Sequence, residues 1–472
     1  MVPLENSILE AALILLLVFG GGVHAQSGAA SAVNISYIED TVYVFEGHEA
    51  NVTVTVHGII EDGVLTFRSS SVSDFILKET NTIIPLSRSD DFPMNVTVTI
   101  EGKFISLATL DVLFDVDGDG RAVMVGSQKI GVKRVPTLIR QIYVYVLLIW
   151  LILSYLSMGG GMEVGDIWRR VRRPWGILIG LVCQFVIMPA STFVIALLLA
   201  RDDAPTALGI VLVGTSPGGW LSNIFSVLLD VDLVLSITMT FCSTVLALAM
   251  MPLNLYIYAT PFIAGSSRLQ TPFRDLAQQI LYLVVPCFVG MALSHKFQKF
   301  KKLSRLVIKP IAILLIIIAI GLAVPSDFYA FARSPFNNWM ASIVVPGFGA
   351  FLGLSVSRIF GRDVRTSVTI ALETGIQNGL LGLTIVALFY PQPEADLLAR
   401  VILTIALVTI CEGSAAVFIY SIFRYWLCRK RLAQISAGGE EGVRKDGRGG
   451  STAVEDDVLP RNGATNVAFE IS

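Results

Sequence analysis

The chain has 472 residues, 54% of them hydrophobic and only 15% charged, with 35 basic and 37 acidic side chains giving a net charge of −2. A mean hydropathy of +0.69 over this length excludes a single soluble domain, and the balanced charge without a long basic run in the body excludes a nucleic-acid partner. A polytopic membrane protein with an appended domain is the expected class.

Residues 1–25 read as a signal peptide. An apolar run over 11–19 precedes Val23-His24-Ala25, a small-residue cleavage pattern, although the n-region carries Glu5 and no Lys or Arg. An uncleaved membrane helix is the competing reading. Residues 26–135 alternate apolar and polar positions in short runs such as Val52–Val56 and Val96–Ile100, separated by Gly, Asp and Ser turns, which predicts a small β-sandwich ectodomain. All three Asn-x-Ser/Thr acceptors, Asn34, Asn51 and Asn95, fall here, as expected of a glycosylated domain on the extracellular or lumenal side. Asp115, Asp117 and Asp119, followed by Gly120, copy the start of a calcium loop. The twelfth position is Gly126 where an EF-hand needs Glu, which leaves a loose calcium site between strands or a solvated acidic turn.

From about residue 138 the period becomes helical, and nine apolar spans follow near 138–160, 174–200, 205–229, 233–258, 275–294, 305–325, 337–359, 364–390 and 396–425. An outside N-terminus and an odd count place the C-terminus in the cytoplasm. The loop charges give the same orientation independently: Arg169, Arg170, Arg172 and Arg173, then Lys296, Lys299, Lys301 and Lys302, then Arg358, Arg362 and Arg365 fall on the inner side, while the outer loops are poor in Lys and Arg. The tail, 426–472, is rich in Gly, Glu, Asp and Arg and is expected to be a disordered cytoplasmic segment. Cys428 beside Arg429 reads either as a palmitoylation site or as a simple helix-end residue. The other cysteines, Cys183, Cys242, Cys287 and Cys411, lie in or beside apolar spans and imply no disulfide framework.

Glu373 stands inside the span 364–390, where an ionised side chain costs roughly 2.5 kcal/mol or more, so it is expected to face protein, water or an ion. Gly375, Gly379 and Gly382 weaken the helix there, and a frayed helix offers carbonyl oxygens. About 150 residues earlier, Ser216-Pro217-Gly218-Gly219 breaks another apolar span just before Trp220, Ser222 and Asn223. Two interrupted spans in corresponding halves of a chain point to inverted repeats with a binding site at the membrane midplane. Ser236 and Thr240, like Glu373 and Gln377, are spaced i, i+4 and so share a helix face. With Ser222 and Asn223 they could present five or six oxygens to a hard cation, since such ions seek oxygen ligands. For each hydroxyl alone the competing role is a bond back to its own helix. Glu412 is a second intramembrane acid, with no partner legible in the sequence.

The segments Gly214–Ser226, Asp232–Thr240 and Glu373–Asn378 resemble the signature segments of the sodium/bile acid cotransporter family, and Met158–Glu163 and Gln184–Pro189 resemble its first two helices. The similarity covers about 138–425, and the chain is most similar to the branch with a large N-terminal extracellular domain. The resemblance implies an all-α carrier of nine helices, divided into core and panel domains, in which two broken helices cross and two sodium ions bind behind the solute cavity. Carried over by motif, Ser222, Asn223, Ser236, Thr240 and Glu373 would form one sodium site. Gln184, Glu373 and Gln377, with backbone carbonyls near Ile376, would form the second. Trp220, Asn378 and Gly379 would line the solute cavity. Trp220 stands where bile acid carriers have Asn, a departure that bears on the solute and leaves every sodium position with the expected residue.

The expected function is sodium-coupled symport of an amphipathic organic anion, such as a steroid conjugate, by alternating access in the plasma membrane. The solute and surrounding membrane lipid are its expected partners, and the oligomeric state is left open. The alternative is a non-transporting receptor that uses the ectodomain on a carrier-fold base. An enzyme is not expected: His24, His48, His57 and His295 avoid the membrane core, and neither a Walker loop nor a nucleophile elbow occurs.

Overall fold

The computed structural model describes residues 33–78, 83–116, 122–136, 138–172, 174–263, 269, 271, 273–304, 306, 331 and 333–446. The predicted signal peptide, Asp117, Asp119, all but one residue of the span 305–325, and the tail beyond 446 lie outside the described residues.

Alternation in the N-terminal region produces nine strands among the described residues: β1 (Val33–Tyr37), β2 (Thr41–Phe45), β3 (Glu49–Ile59), β4 (Gly63–Ser69), β5 (Phe75–Leu77), β6 (Ile83–Leu86), β7 (Met94–Gly102), β8 (Ser106–Val116) and β9 (Val123–Lys133). They form two sheets, β1-β3-β7-β5 and β2-β9-β8-β4-β6, antiparallel except where β2 runs parallel to β9. The two runs singled out by their period are each other's partners, with Val52 opposite Val98 and Val54 opposite Val96. Their even positions enter a core with Leu65, Phe67, Leu110, Val112 and Phe114, as a period of two requires. Asn34, Asn51 and Asn95 are exposed on the outer side of the β1-β3-β7-β5 sheet, where Thr99 donates to Asn51 Oδ1 at 3.1 Å and Thr55 to Asn95 Oδ1 at 2.8 Å. The sandwich touches the loops of the helical region. The Arg333 guanidinium lies 3.8 Å over the Phe104 ring, and a Cβ on Gly131 would stand 3.6 Å from Pro393.

Among the described residues the helices are α1 (Leu138–Gly161), α2 (Val164–Val171), α3 (Trp175–Val182), α4 (Met188–Leu199), α5 (Ala204–Thr215), α6 (Leu221–Leu228), α7 (Leu233–Ile263), α8 (Phe273–Lys296), α9 (Phe336–Ile359), α10 (Val364–Gly375), α11 (Gly379–Phe389) and α12 (Glu394–Asp446). By length and composition five are able to cross a membrane: Trp175–Leu199, Leu233–Ile263, Phe273–Lys296, Phe336–Ile359 and Glu394–Leu427. Of the other expected spans, 205–229 and 364–390 are each split into two short helices, and 138–160 lies in α1. α12 continues past residue 426 to Asp446.

α1 and α8 meet backbone to backbone, since a Cβ on Gly159 would fall 2.0 Å from the Cys287 carbonyl and one on Gly290 would fall 2.1 Å from the Leu156 carbonyl. Such approaches through small residues substitute for a hydrophobic driving force where the solvent is itself apolar. The short helix α2 is amphipathic, and its Arg170 donates at 2.5 Å to Asp232, which in turn accepts the Leu235 N–H at the start of α7.

Candidate functional site

The two split spans are built alike. α5 and α10 have twelve residues each, and each starts on an aspartate whose side chain accepts a backbone N–H three residues on: Thr206 to Asp203 at 3.2 Å and Thr366 to Asp363 at 3.1 Å. α5 ends because Pro217 forces Ser216 out of the helical region, to ψ 154°. α10 ends at Gly375, with Ile376 extended at ψ 96°. The chain resumes as α6 and α11, the latter capped by Asn378, whose Oδ1 accepts the Leu381 N–H at 3.1 Å.

The two breaks pair with each other. Gly218 and Gln377 form an antiparallel bridge, with Gly219 N–H donating to the Ile376 carbonyl at 2.9 Å and Asn378 N–H to the Pro217 carbonyl at 3.1 Å. Groups freed by the two interruptions therefore satisfy one another, which a lipid environment demands. The approach needs glycine: a Cβ on Gly218 would lie 2.1 Å from Glu373 Oε1, and one on Gly219 would lie 2.8 Å from the Gln377 carbonyl. The C-terminal ends of α5 and α10 both point their carbonyl ends at this crossing, a polarity that favours positive charge.

The candidate side chains converge here. Glu373, 1% exposed, accepts from Ser222 at 2.6 Å, and the Ser236 and Thr240 hydroxyls of α7 face the same carboxylate. Asn223 donates to Thr240 Oγ1 at 3.4 Å. On the other side of the bridge, Gln184 donates at 2.7 Å both to the Ser216 carbonyl and to Gln377 Oε1, while Gln377 donates to the Thr374 carbonyl at 2.6 Å. Gln184 is presented by a π-helical turn, Cys183–Ile187, between α3 and α4. That turn sits beside Pro189, which has no N–H to donate, and Asn254 of α7 bonds the Phe185 carbonyl at 3.0 Å.

Four oxygens of this cluster are buried without a hydrogen bond, namely Glu373 Oε1, Asn223 Oδ1, Ser236 Oγ and Gln184 Oε1; the Ser236 hydroxyl faces the Glu373 carboxylate without reaching it. A buried acceptor left unpaired costs about 1–3 kcal/mol. Four from four separate elements fit a cation bound by neutral and anionic oxygens. No lysine or arginine is paired with Glu373 among the described residues.

The expected solute-lining residues differ in their surroundings. Trp220 is half-buried and packs against the helical core. Gly379 faces Ile402 and Ala406. Asn378 is 3% exposed, with its amide committed to Leu381 and, through Nδ2 at 2.6 Å, to Tyr155 Oη of α1. Tyr155 and Asn254 were missed by sequence reasoning. A polar residue in an apolar span could have flagged Asn254, but nothing separates Tyr155 from a core aromatic. Glu412 lies beside Gly347, its carboxylate 3.6 Å from where a Cβ would stand. Asp115 sits on β8, with Asp117 and Asp119 outside the described residues, and among the described residues no cluster of three or more His, Cys, Asp or Glu side chains is suited to a metal.

Five apolar helices long enough to cross a membrane, with two further spans interrupted and crossed beside a buried carboxylate, are the features of a polytopic membrane protein. Residues 148–333 match the model of the sodium bile acid symporter family. The chain is 40% identical over 253 residues to the ileal sodium/bile acid cotransporter of Oryctolagus cuniculus, covering 53% of this chain and 71% of that protein. It is 35% identical over 306 residues to the ileal sodium/bile acid cotransporter of Homo sapiens, covering 64% and 85%. It is 29% identical over 286 residues to the sodium-dependent organic anion transporter of Homo sapiens, covering 59% and 73%. The chain belongs to the sodium bile acid symporter family, a family of transporters and not of enzymes.

Proposed function

We propose that this chain is a sodium-coupled symporter that moves an amphipathic organic anion by alternating access. The observation that carries it is the set of four unpaired oxygens around Glu373 and Gln184 at the paired breaks. Two sodium ions are assigned, one to Ser222, Asn223, Ser236, Thr240 and Glu373, the other to Gln184, Glu373, Gln377 and carbonyls near Ile376. An ion entering down 60 mV gives about 1.4 kcal/mol, and a tenfold concentration ratio gives about as much again. Two ions therefore supply about 5–6 kcal/mol, enough to concentrate a neutral or singly anionic solute. Sodium favours one arrangement of a core containing the crossed helices against a panel containing α1 and α8, and the solute fills the cleft between them.

The arrangement in the membrane is nine spans with inverted repeats. The sandwich lies outside, glycosylated at Asn34, Asn51 and Asn95, and the C-terminus lies in the cytoplasm of a plasma-membrane protein. Trp220 puts a bulky indole where an amide is expected, so the solute differs from a bile acid. It also supports a second reading, in which the indole closes the cavity and the sandwich receives a partner on an inactive base. The experiment is thermal unfolding of purified protein in sodium chloride against choline chloride. A sodium-dependent rise in Tm that Glu373→Gln removes is expected, and no rise in the wild type would overturn the carrier. Trp220→Asn separates the two readings: uptake gained or altered supports a working cavity, whereas no uptake of any organic anion by either form supports the receptor.

A further inference from the structure

Tyr155 stands on α1, outside every element that supplies an oxygen to the ion cluster, yet it is 1% exposed and its hydroxyl is the partner of Asn378 Nδ2 at 2.6 Å. Asn378 holds the second break from three sides: its N–H bonds the Pro217 carbonyl of the first break, its Oδ1 caps α11, and its Nδ2 bonds Tyr155. One phenol therefore joins α1 to the crossing. We propose that Tyr155 is a positioning residue through which the place of α1 sets sodium affinity. With α1 seated, the phenol holds Asn378, and with it the paired breaks and the orphaned oxygens, in the arrangement a cation fits. When α1 moves away, Asn378 loses that partner and the cluster loosens. The bond is buried, so leaving the Asn378 amide unpaired is costly, and the cost couples the two sites. A solute hydroxyl or carboxylate that takes up Asn378 Nδ2 in place of the phenol would restore the cluster, which links solute entry to ion retention.

This inference rests on the sodium-carrier reading above, and its test separates the two. The full chain is purified, and its Tm is followed against sodium chloride concentration with choline chloride holding ionic strength constant. Tyr155→Phe, which keeps the ring and removes only the hydroxyl, is expected to raise the sodium concentration for half-maximal stabilisation about threefold to tenfold. Asn378→Ser keeps a capping oxygen but cannot reach α1, and is expected to give a shift of the same size. The double variant is expected to shift no further than the larger single variant, as for two ends of one bond. Ser154→Ala, which removes a neighbouring α1 hydroxyl that bonds nothing, leaves the midpoint unchanged. The proposal is overturned if Tyr155→Phe lowers the sodium-free Tm but keeps the wild-type midpoint, since that is packing alone. It is also overturned if the two single shifts add. A wild type that ignores sodium overturns the carrier reading, and this one with it; a responsive wild type matched by Tyr155→Phe overturns this one only.

Discussion

Val54 in the sandwich and Glu373 at the helix crossing are equally cut off from water, at 0% and 1% exposed, yet they are buried by opposite means. Val54 belongs to the apolar core that also holds Val52, Val56, Val96 and Val98, where an apolar side chain of comparable volume would serve. Glu373 lies among hydroxyls, amides and freed carbonyls, and its place depends on two glycines that let two backbones meet. The first interior is held by area removed from water and tolerates change in proportion to volume lost. The second keeps unpaired acceptors at a standing cost, and such a cost is maintained where a ligand relieves it.

The difference can be broken first at the carboxylate. Glu373→Gln keeps the shape and removes the charge, so the sodium-dependent rise in Tm and any sodium-driven uptake are expected to vanish, while the sandwich stays folded by circular dichroism. Retention of the sodium response would sink the assignment. Next in size is Gly218→Ala, whose methyl would meet Glu373 Oε1 at 2.1 Å. It is expected to weaken sodium stabilisation at least tenfold. By contrast Gly47→Ala in the sandwich, at φ +74° with open space around it, is expected to lower stability by about 1 kcal/mol and to leave sodium binding alone. If both glycine variants behave the same, the contrast between the two interiors fails.

Val54→Ala sharpens the comparison from the other side. It should cost the sandwich about 2 kcal/mol through lost transfer energy and a cavity, read by denaturant unfolding, with an unchanged sodium midpoint. The smallest effect is expected at Asp363, the cap of α10. Hydrogen bonds from the Thr366 side chain, and then from its N–H, hold this carboxyl below the usual carboxylate range. A depressed value means the cap contributes fully above the unfolded pKa and is lost as pH falls through the lower folded value. Asp363→Ala is therefore expected to cost about 1 kcal/mol or less at neutral pH and to converge with the wild type in strong acid, measured as Tm against pH. A gap that widened on acidification would contradict it.

Much of the fold was legible because its signals are local. The runs Val52–Val56 and Val96–Ile100 announced strands by their period, and the sheet made them partners. Pro217-Gly218-Gly219 and Gly375 announced the two interruptions, since these residues act on their own backbone. Glu373 stood out because a carboxylate in an apolar span has few physical excuses, and the structure buries it beside the paired breaks. The resemblance, and not the spacing, pointed to Gln184, and the π turn that presents it became visible only in the structure. Asn378 was expected to face the solute, whereas its amide is already engaged by Leu381 and Tyr155.

What the sequence alone determined is what depends on the chain within a few residues: membrane class, the β-rich N-terminal region, the two broken spans and the acid inside the second of them. Tertiary structure decided what depends on groups far apart in the chain. It paired Gly218 with Gln377, left four oxygens from four elements unpaired, and brought a tyrosine of α1 to the cap of α11, 223 residues away. No period or motif encodes such meetings, because a hydrogen bond between distant segments is fixed by the packing of everything between them.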